Sequence, residues 1–135
     1  MVEVDRAAKI LLIDDDPALV RMIRLVLLSE GLSVDTAVDG LNGLEKATAD
    51  SFDVIVLDLQ MPNMDGRQFF REIRSRGDMT PVVLLSAYGA QAAKVELNAE
   101  AAVSKPFDPN VLIGTVRSLL PESAGGTGNG ATSKR

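Results

Sequence analysis

Apolar residues fall along this chain in two alternating patterns. Lys9–Ile13 (KILLI), Val54–Leu57 (VIVL) and Val82–Leu85 (VVLL) are short, continuous apolar runs. Runs without polar alternation suit strands covered on both faces, as in a parallel sheet. Ser33–Ala37 alternates and reads as a weaker strand. Ala101–Val103 is placed as a fifth strand by its position more than by its composition.

Between these runs the spacing becomes helical. Leu19, Met22, Ile23, Val26 and Leu27 keep one face behind Asp16-Pro17, an N-cap followed by proline at the first helical position. Gly31 is a natural stop for that helix. Asp108-Pro109 repeats the start before Leu112, Ile113, Val116, Leu119 and Leu120. Gly114 inside this last helix costs it up to ~1 kcal/mol relative to alanine. Asp39–Ala49, Met64–Arg76 and a short helix near Gln91–Leu97 complete the set. Strict strand–helix alternation, five times over, predicts a doubly wound (βα)5 α/β sandwich on a five-stranded parallel sheet. Residues 9–120 form the expected domain, with 1–8 as an N-terminal extension. Residues 121–135 (PESAGGTGNGATSKR) have no large apolar side chain and read as a disordered tail or linker.

Composition narrows the chemistry. The 135 residues carry a formal net charge of −5 and contain no Cys, no His and no Trp. Thiol nucleophiles, thiolate zinc sites, histidine bases and imidazole metal ligands are therefore excluded. An acidic balance argues against direct nucleic-acid binding. No stretch supplies the ~20 apolar residues of a membrane span. The N-terminus lacks a signal-peptide core, so the expected location is cytoplasmic.

In an open parallel sheet, ligands bind beyond the carboxyl ends of the strands. Asp14, Asp15 and Asp16 follow the first strand, Asp58 the third, Ser86 the fourth and Lys105 the fifth. Crowded carboxylates repel one another unless a cation is present, and a hard oxygen-liganded ion such as Mg²⁺ relieves them. A carboxylate in such a setting can act as a nucleophile toward a phosphoryl group, with a lysine to neutralise its oxygens. Taken singly, each feature has a plainer reading. Asp16 is a helix cap, Asp58 a turn residue, and SKPF a loop before a helix.

The segments ILLIDDDP, VIVLDLQMPNMDG, PVVLLSAYG and SKPF together resemble the receiver domain of two-component response regulators (the CheY-like family). The resemblance covers nearly all of residues 9–120 and implies a flavodoxin-like sandwich. It implies that Asp58 accepts the phosphoryl group and that Ser86 and Lys105 bond it. It also implies Mg²⁺ on Asp14, Asp15, Asp58 and the backbone carbonyl of Gln60, leaving the Gln60 side chain less constrained. The implied phosphoryl donor is a histidine kinase or histidine phosphotransfer protein. The implied output is an altered protein–protein contact, from a monomer or weak dimer.

Two departures from the family pattern stand out. Three residues before the lysine, where the family commonly has Tyr or Phe, this chain has Ala102. The stretch from Ser86 to Lys105 is short by about one helical turn, which predicts a shortened fourth helix. Movement of Tyr88 or of the loop 88–93 is then the expected carrier of the signal, and Tyr88 a partial shield of the site. The basic stripe Arg67, Arg71, Arg74 reads as a solvated face rather than a partner site. An aspartyl-phosphate phosphatase is the runner-up function. It is disfavoured because Gln60 stands where such enzymes keep a second, acid/base Asp. A non-phosphorylated binding module is disfavoured by the intact acidic set. A flavodoxin-like cofactor site is disfavoured because GLNG at 40–43 lacks the spacing of a phosphate loop.

Overall fold

Ten elements alternate without exception in a computed structural model that describes residues 7–61 and 63–121. They are β1 (Lys9–Ile13), α1 (Pro17–Ser29), β2 (Ser33–Ala37), α2 (Gly40–Ala49), β3 (Val54–Asp58), α3 (Gly66–Ser75), β4 (Val82–Ser86), α4 (Ala90–Leu97), β5 (Ala101–Ser104) and α5 (Pro109–Leu119). The strands form one parallel sheet in the order β2-β1-β3-β4-β5. The expected tail at 122–135 and most of the expected extension at 1–8 lie outside the described residues. Ala8 is already buried, and its carbonyl accepts the Ser33 N–H at 2.8 Å.

The alternation of side chains along each strand divides the core in two. Ile10, Leu12, Val54, Val56, Val83 and Leu85 face α1 and α5, where Ile23, Leu27, Leu112 and Val116 cover them. Leu11, Ile13, Ile55, Leu57, Val82 and Leu84 face the other layer, built from Phe69, Phe70 and Ile73 of α3 and Ala93 and Leu97 of α4. Every residue of β3 and β4 is buried. That explains why those runs carry no polar alternation until their last residues.

The helix starts follow the caps. Asp16 accepts the N–H groups of Ala18 and Leu19 at 3.1 and 3.3 Å, and Asp108 accepts that of Asn110 at 2.8 Å. Gly31, at φ +83°, follows α1 in a left-handed conformation that glycine adopts cheaply. The third helix begins at Gly66 rather than Met64, because Asp65 and Gln68 form a reciprocal capping box with both bonds at 2.9 Å. The second begins at Gly40, one residue after its Asp39 cap, and the fourth at Ala90. The fourth helix is short, with eight residues, and a left-handed residue stands at each end, Gly89 and Asn98.

On the arginine stripe of α3, Arg67 and Arg71 keep the exposure expected of a solvated face, and Arg74 is largely covered. Arg67 and Arg71 both reach Glu96 of α4, each at 3.2 Å. Arg74 pairs with Glu100 at 3.0 Å, donates to the carbonyls of Asp78 and Thr80, and lies over the Phe70 ring. The i, i+4, i+7 spacing places all three on one edge, which runs beside α4 and the turn after it while Arg71 stays exposed.

Candidate functional site

The chain leaves β1 to form β2 on one side and returns to form β3 on the other. A crevice therefore opens at the carboxyl ends of β1 and β3, where the direction of winding reverses. Asp58 and Ser86 are the last residues of their strands rather than the first residues after them. Sheet bonding continues one step further on each side, through Leu59 N–H to Leu85 C=O at 3.0 Å and Lys105 N–H to Ser86 C=O at 2.8 Å. The Asp58 and Ser86 side chains thus sit on hydrogen-bonded strand ends rather than on free loops.

Asp14, Asp15 and Asp58 converge, and one carboxylate oxygen from each lies within 4.8 Å of the other two. Asp14 and Asp58 are only 1% and 2% exposed, while Asp15 faces solvent. Asp14 is held by the Asp16 N–H at 3.0 Å and Asp58 by the Gln60 N–H at 3.2 Å. The Lys105 ammonium spans the two buried acids, 3.4 Å from Asp14 Oδ2 and 3.2 Å from Asp58 Oδ1. The Lys105–Pro106 peptide that follows is cis.

Burial and the neighbouring Asp14 charge push the Asp58 carboxyl up to about 6, against the opposing pull of Lys105 and the Gln60 N–H. Burial works to lower Lys105, but the Asp14 and Asp58 carboxylates outweigh it and hold the ammonium above its ordinary value. One cation for three acids leaves the pocket short of positive charge. All the donors are hard oxygens, and one carboxylate is open to water. That donor set fits a Mg²⁺ ion that keeps part of its hydration shell.

Ser86 is fully buried and belongs to a different network. Its hydroxyl donates to the Tyr88 carbonyl at 2.7 Å and accepts the Tyr88 N–H at 3.1 Å. It also accepts from Gln60 Nε2 at 3.2 Å. Through this bond the Gln60 side chain, expected only to be less constrained than its carbonyl, bridges the ends of β3 and β4. The Tyr88 ring, 83% exposed, points away and shields nothing in this state. Both outcomes depend on rotamers, which residue spacing does not reveal. Ala102 is half-buried on β5, and its carbonyl accepts from Gln91 Nε2 at 3.1 Å.

Gly66 lets the start of α3 come against this site. A β-carbon there would stand 2.5 Å from the Asp58 carbonyl oxygen and 2.7 Å from Leu59 Cα. Gly66 is thus a close-packing device behind the central acid. Sequence reasoning also passes over Arg21 and Arg24 of α1. With Leu25 and Val38 they line a cleft that adjoins Asp14 and Asp15.

Comparison with known proteins assigns the family. A family model described as the response regulator receiver domain matches residues 10–117. The response regulator ArlR of Staphylococcus saprophyticus is 37% identical over 115 residues, which are 83% of this chain and 52% of that protein. The chemotaxis response regulator CheY4 of Vibrio cholerae superposes with a TM-score of 0.78 at 34% identity, covering 85% of this chain and all of that one. The response regulator TrrA of Thermotoga maritima, solved in complex with Mg²⁺ and BeF, gives 0.77 at 31% identity over 84% of this chain and 99% of its own. The chain belongs to the response regulator receiver domain family, and its fold is the CheY-like, flavodoxin-like one. It spans 28% to 52% of the length of the curated relatives it matches first, among them the transcriptional regulatory protein GlrR of Escherichia coli. No helix among the described residues is long and apolar enough to cross a membrane.

Proposed function

We propose that this domain is a phosphoryl-accepting signalling switch, modified on Asp58 by a phosphohistidine donor in a Mg²⁺-dependent reaction. The observation that carries the reading is the buried Asp58 carboxylate held between Asp14 and Lys105, with an exposed third acid beside it. In the transfer, an Asp58 carboxylate oxygen forms the new bond to phosphorus. The P–N bond to the donor imidazole breaks with its electron pair going to nitrogen, and the imidazole, already protonated on its other ring nitrogen, leaves neutral. Lys105 neutralises charge on the phosphoryl oxygens, in place of the contact it makes with Asp58 in the resting state. Asp14, Asp15, Asp58 and the Gln60 carbonyl would hold the ion, which supplies further charge neutralisation at those oxygens.

Beside Lys105 an apolar groove lined by Leu19, Met22, Pro106 and Phe107 opens on the same rim. It gives a donor protein apolar surface on which to rest while presenting its imidazole to Asp58. The domain itself needs no histidine, consistent with a sequence that has none. The new phosphoryl oxygens would compete for the Ser86 hydroxyl and draw it from the Tyr88 carbonyl. That rearrangement would change the surface offered to a downstream protein. Incubation with acetyl phosphate and Mg²⁺, read by intact mass, tests the reading. The expected result is one phosphoryl adduct on the wild type and none on Asp58→Asn. No adduct, or an equal adduct on the variant, refutes it.

A further inference from the structure

The junction between α3 and α4 breaks two local rules at once. Arg67 sits in the first turn of α3, where the positive end of the helix dipole disfavours a cation. Arg71 follows at i+4, where a like charge is again unfavourable. No acid of the first turn compensates either of them. Both are instead met by one carboxylate from another element, Glu96, with Arg67 contributing two nitrogens at 3.2 and 3.3 Å and Arg71 one at 3.2 Å. Beyond the Asp65 cap, this conflict is met by a distant partner, and such an arrangement marks a place where local stability has been given up for something else.

The partner element is the shortest of the five helices, with eight residues. Only Ala90, Ala93 and Leu97 of α4 are buried, and two of these are alanines. Left-handed residues bound it at both ends, and Gly89 provides no side-chain cap. Its N-terminal end is connected to the site through one residue, since Ser86 grips both backbone groups of Tyr88, immediately before Gly89. Besides the core packing of Ala93 and Leu97, its side-chain ties to other elements among the described residues are the Gln91 bond to the Ala102 carbonyl on β5 and the Glu96 junction to α3. On β5 there is no large side chain at residue 102 to follow a movement of α4. On α3 there are two arginines whose only partner among the described residues is Glu96.

We propose that Arg67, Arg71 and Glu96 form a charge latch that holds α4 in its resting position, so that switching at Asp58 is registered across the α3–α4 edge. This rests on the receiver-switch reading above. When the Ser86 hydroxyl leaves Tyr88, the Tyr88–Gly89 backbone loosens and α4 pivots between its two left-handed ends. Glu96 then parts from the arginines, leaving two unpaired cations on α3 and a displaced carboxylate on α4. The charge pattern of that edge differs between the two states, and an acidic partner segment can read the difference. The latch opposes switching, so weakening it makes switching easier by the same factor.

Hydrogen exchange on the full chain without metal or phosphoryl group isolates the latch. Glu96→Gln and Arg67→Gln/Arg71→Gln should each raise amide exchange in α4 by about threefold to tenfold, the range expected for an exposed ion-pair junction. Exchange in α1 and α5 should stay unchanged. The charge-reversed triple variant Arg67→Glu/Arg71→Glu/Glu96→Arg should restore slow exchange. Titration with beryllofluoride and Mg²⁺ then reads the coupling, and Glu96→Gln should bind it tighter by a similar factor. Unchanged α4 exchange, a uniform rise in every element, or an unaltered beryllofluoride affinity overturns the latch. A wild type that takes up no beryllofluoride instead overturns the receiver-switch reading, while the exchange comparison still decides whether the junction restrains α4.

Discussion

The ammonium of Lys105 reaches 47 residues back along the chain to lie 3.2 Å from Asp58 Oδ1. It offsets part of what burial and Asp14 do to that carboxyl. Removing it in Lys105→Met should therefore drive the Asp58 titration above about 6 in metal-free protein, visible in carboxyl-carbon NMR. Phosphoryl transfer from acetyl phosphate should slow by about 10²-fold, since a charge-stabilising donor is lost. A carboxyl titration that does not move would show that the contact carries no electrostatic weight.

The raised Asp58 pKa also makes the metal-free fold sensitive to pH. A buried acid whose pKa climbs from 3.8 to about 6 on folding stabilises the fold when protonated. That contribution is complete below about pH 4 and disappears as pH rises through 6. The loss from this group is on the order of 2–3 kcal/mol. Asp58→Asn removes the titration, so the variant should be more stable than the wild type at pH 8, with the gap closing toward pH 4. Denaturant unfolding at several pH values measures the difference directly. Saturating Mg²⁺ should shrink it by stabilising the wild type. A gap independent of pH between 4 and 8 would contradict this account.

How much of this was legible in the sequence follows from the kind of interaction involved. The strands could be read because β3 and β4 are buried along their whole length, so each shows as an uninterrupted apolar run. The α1 and α5 starts could be read because an Asp-Pro pair has one strong local use. The placement of Asp14, Asp15, Asp58, Ser86 and Lys105 on one rim followed from their positions at the carboxyl ends of the expected parallel strands. Long-range side-chain geometry could not be read. Arg67, Arg71 and Arg74 have the spacing of a surface stripe, and only the fold brings Glu96 and Glu100 to them. Gln60 likewise looks indifferent in the chain, because its bond to Ser86 joins residues 26 positions apart. The start of α3 was misjudged by two residues, because an Asp-Gly pair signals both a turn and a helix cap.

Gly66 supports the site by having no side chain. Its missing β-carbon leaves room for the Asp58 carbonyl, which alanine would crowd to 2.5 Å. The nearby atoms are backbone, with little freedom to give way. Gly66→Ala should cost about 1–3 kcal/mol of stability, the usual range for overpacking. It should also slow adduct formation on Asp58, because the strand end that aims the carboxylate must shift. Chemical denaturation and adduct kinetics read the two effects separately. A fully stable variant with normal kinetics would mean that the contact relaxes at no cost.

Ser86 links chemistry to movement, so its removal should separate the two. Its hydroxyl holds the Tyr88 N–H and C=O and receives Gln60 Nε2. In Ser86→Ala those groups lose their partner, at a cost of about 1 kcal/mol where water can replace it. Amide exchange at Tyr88 and Gly89 should rise in the resting protein. Asp58 should still form its phosphoryl adduct, since the buried acids and Lys105 are untouched. The further change in α4 exchange on adding beryllofluoride should be mostly lost, because the group that exchanges one partner for another is gone. Ser86→Thr keeps a hydroxyl and should keep the response. An alanine variant whose α4 responds as fully as the wild type would place the trigger elsewhere than this hydroxyl.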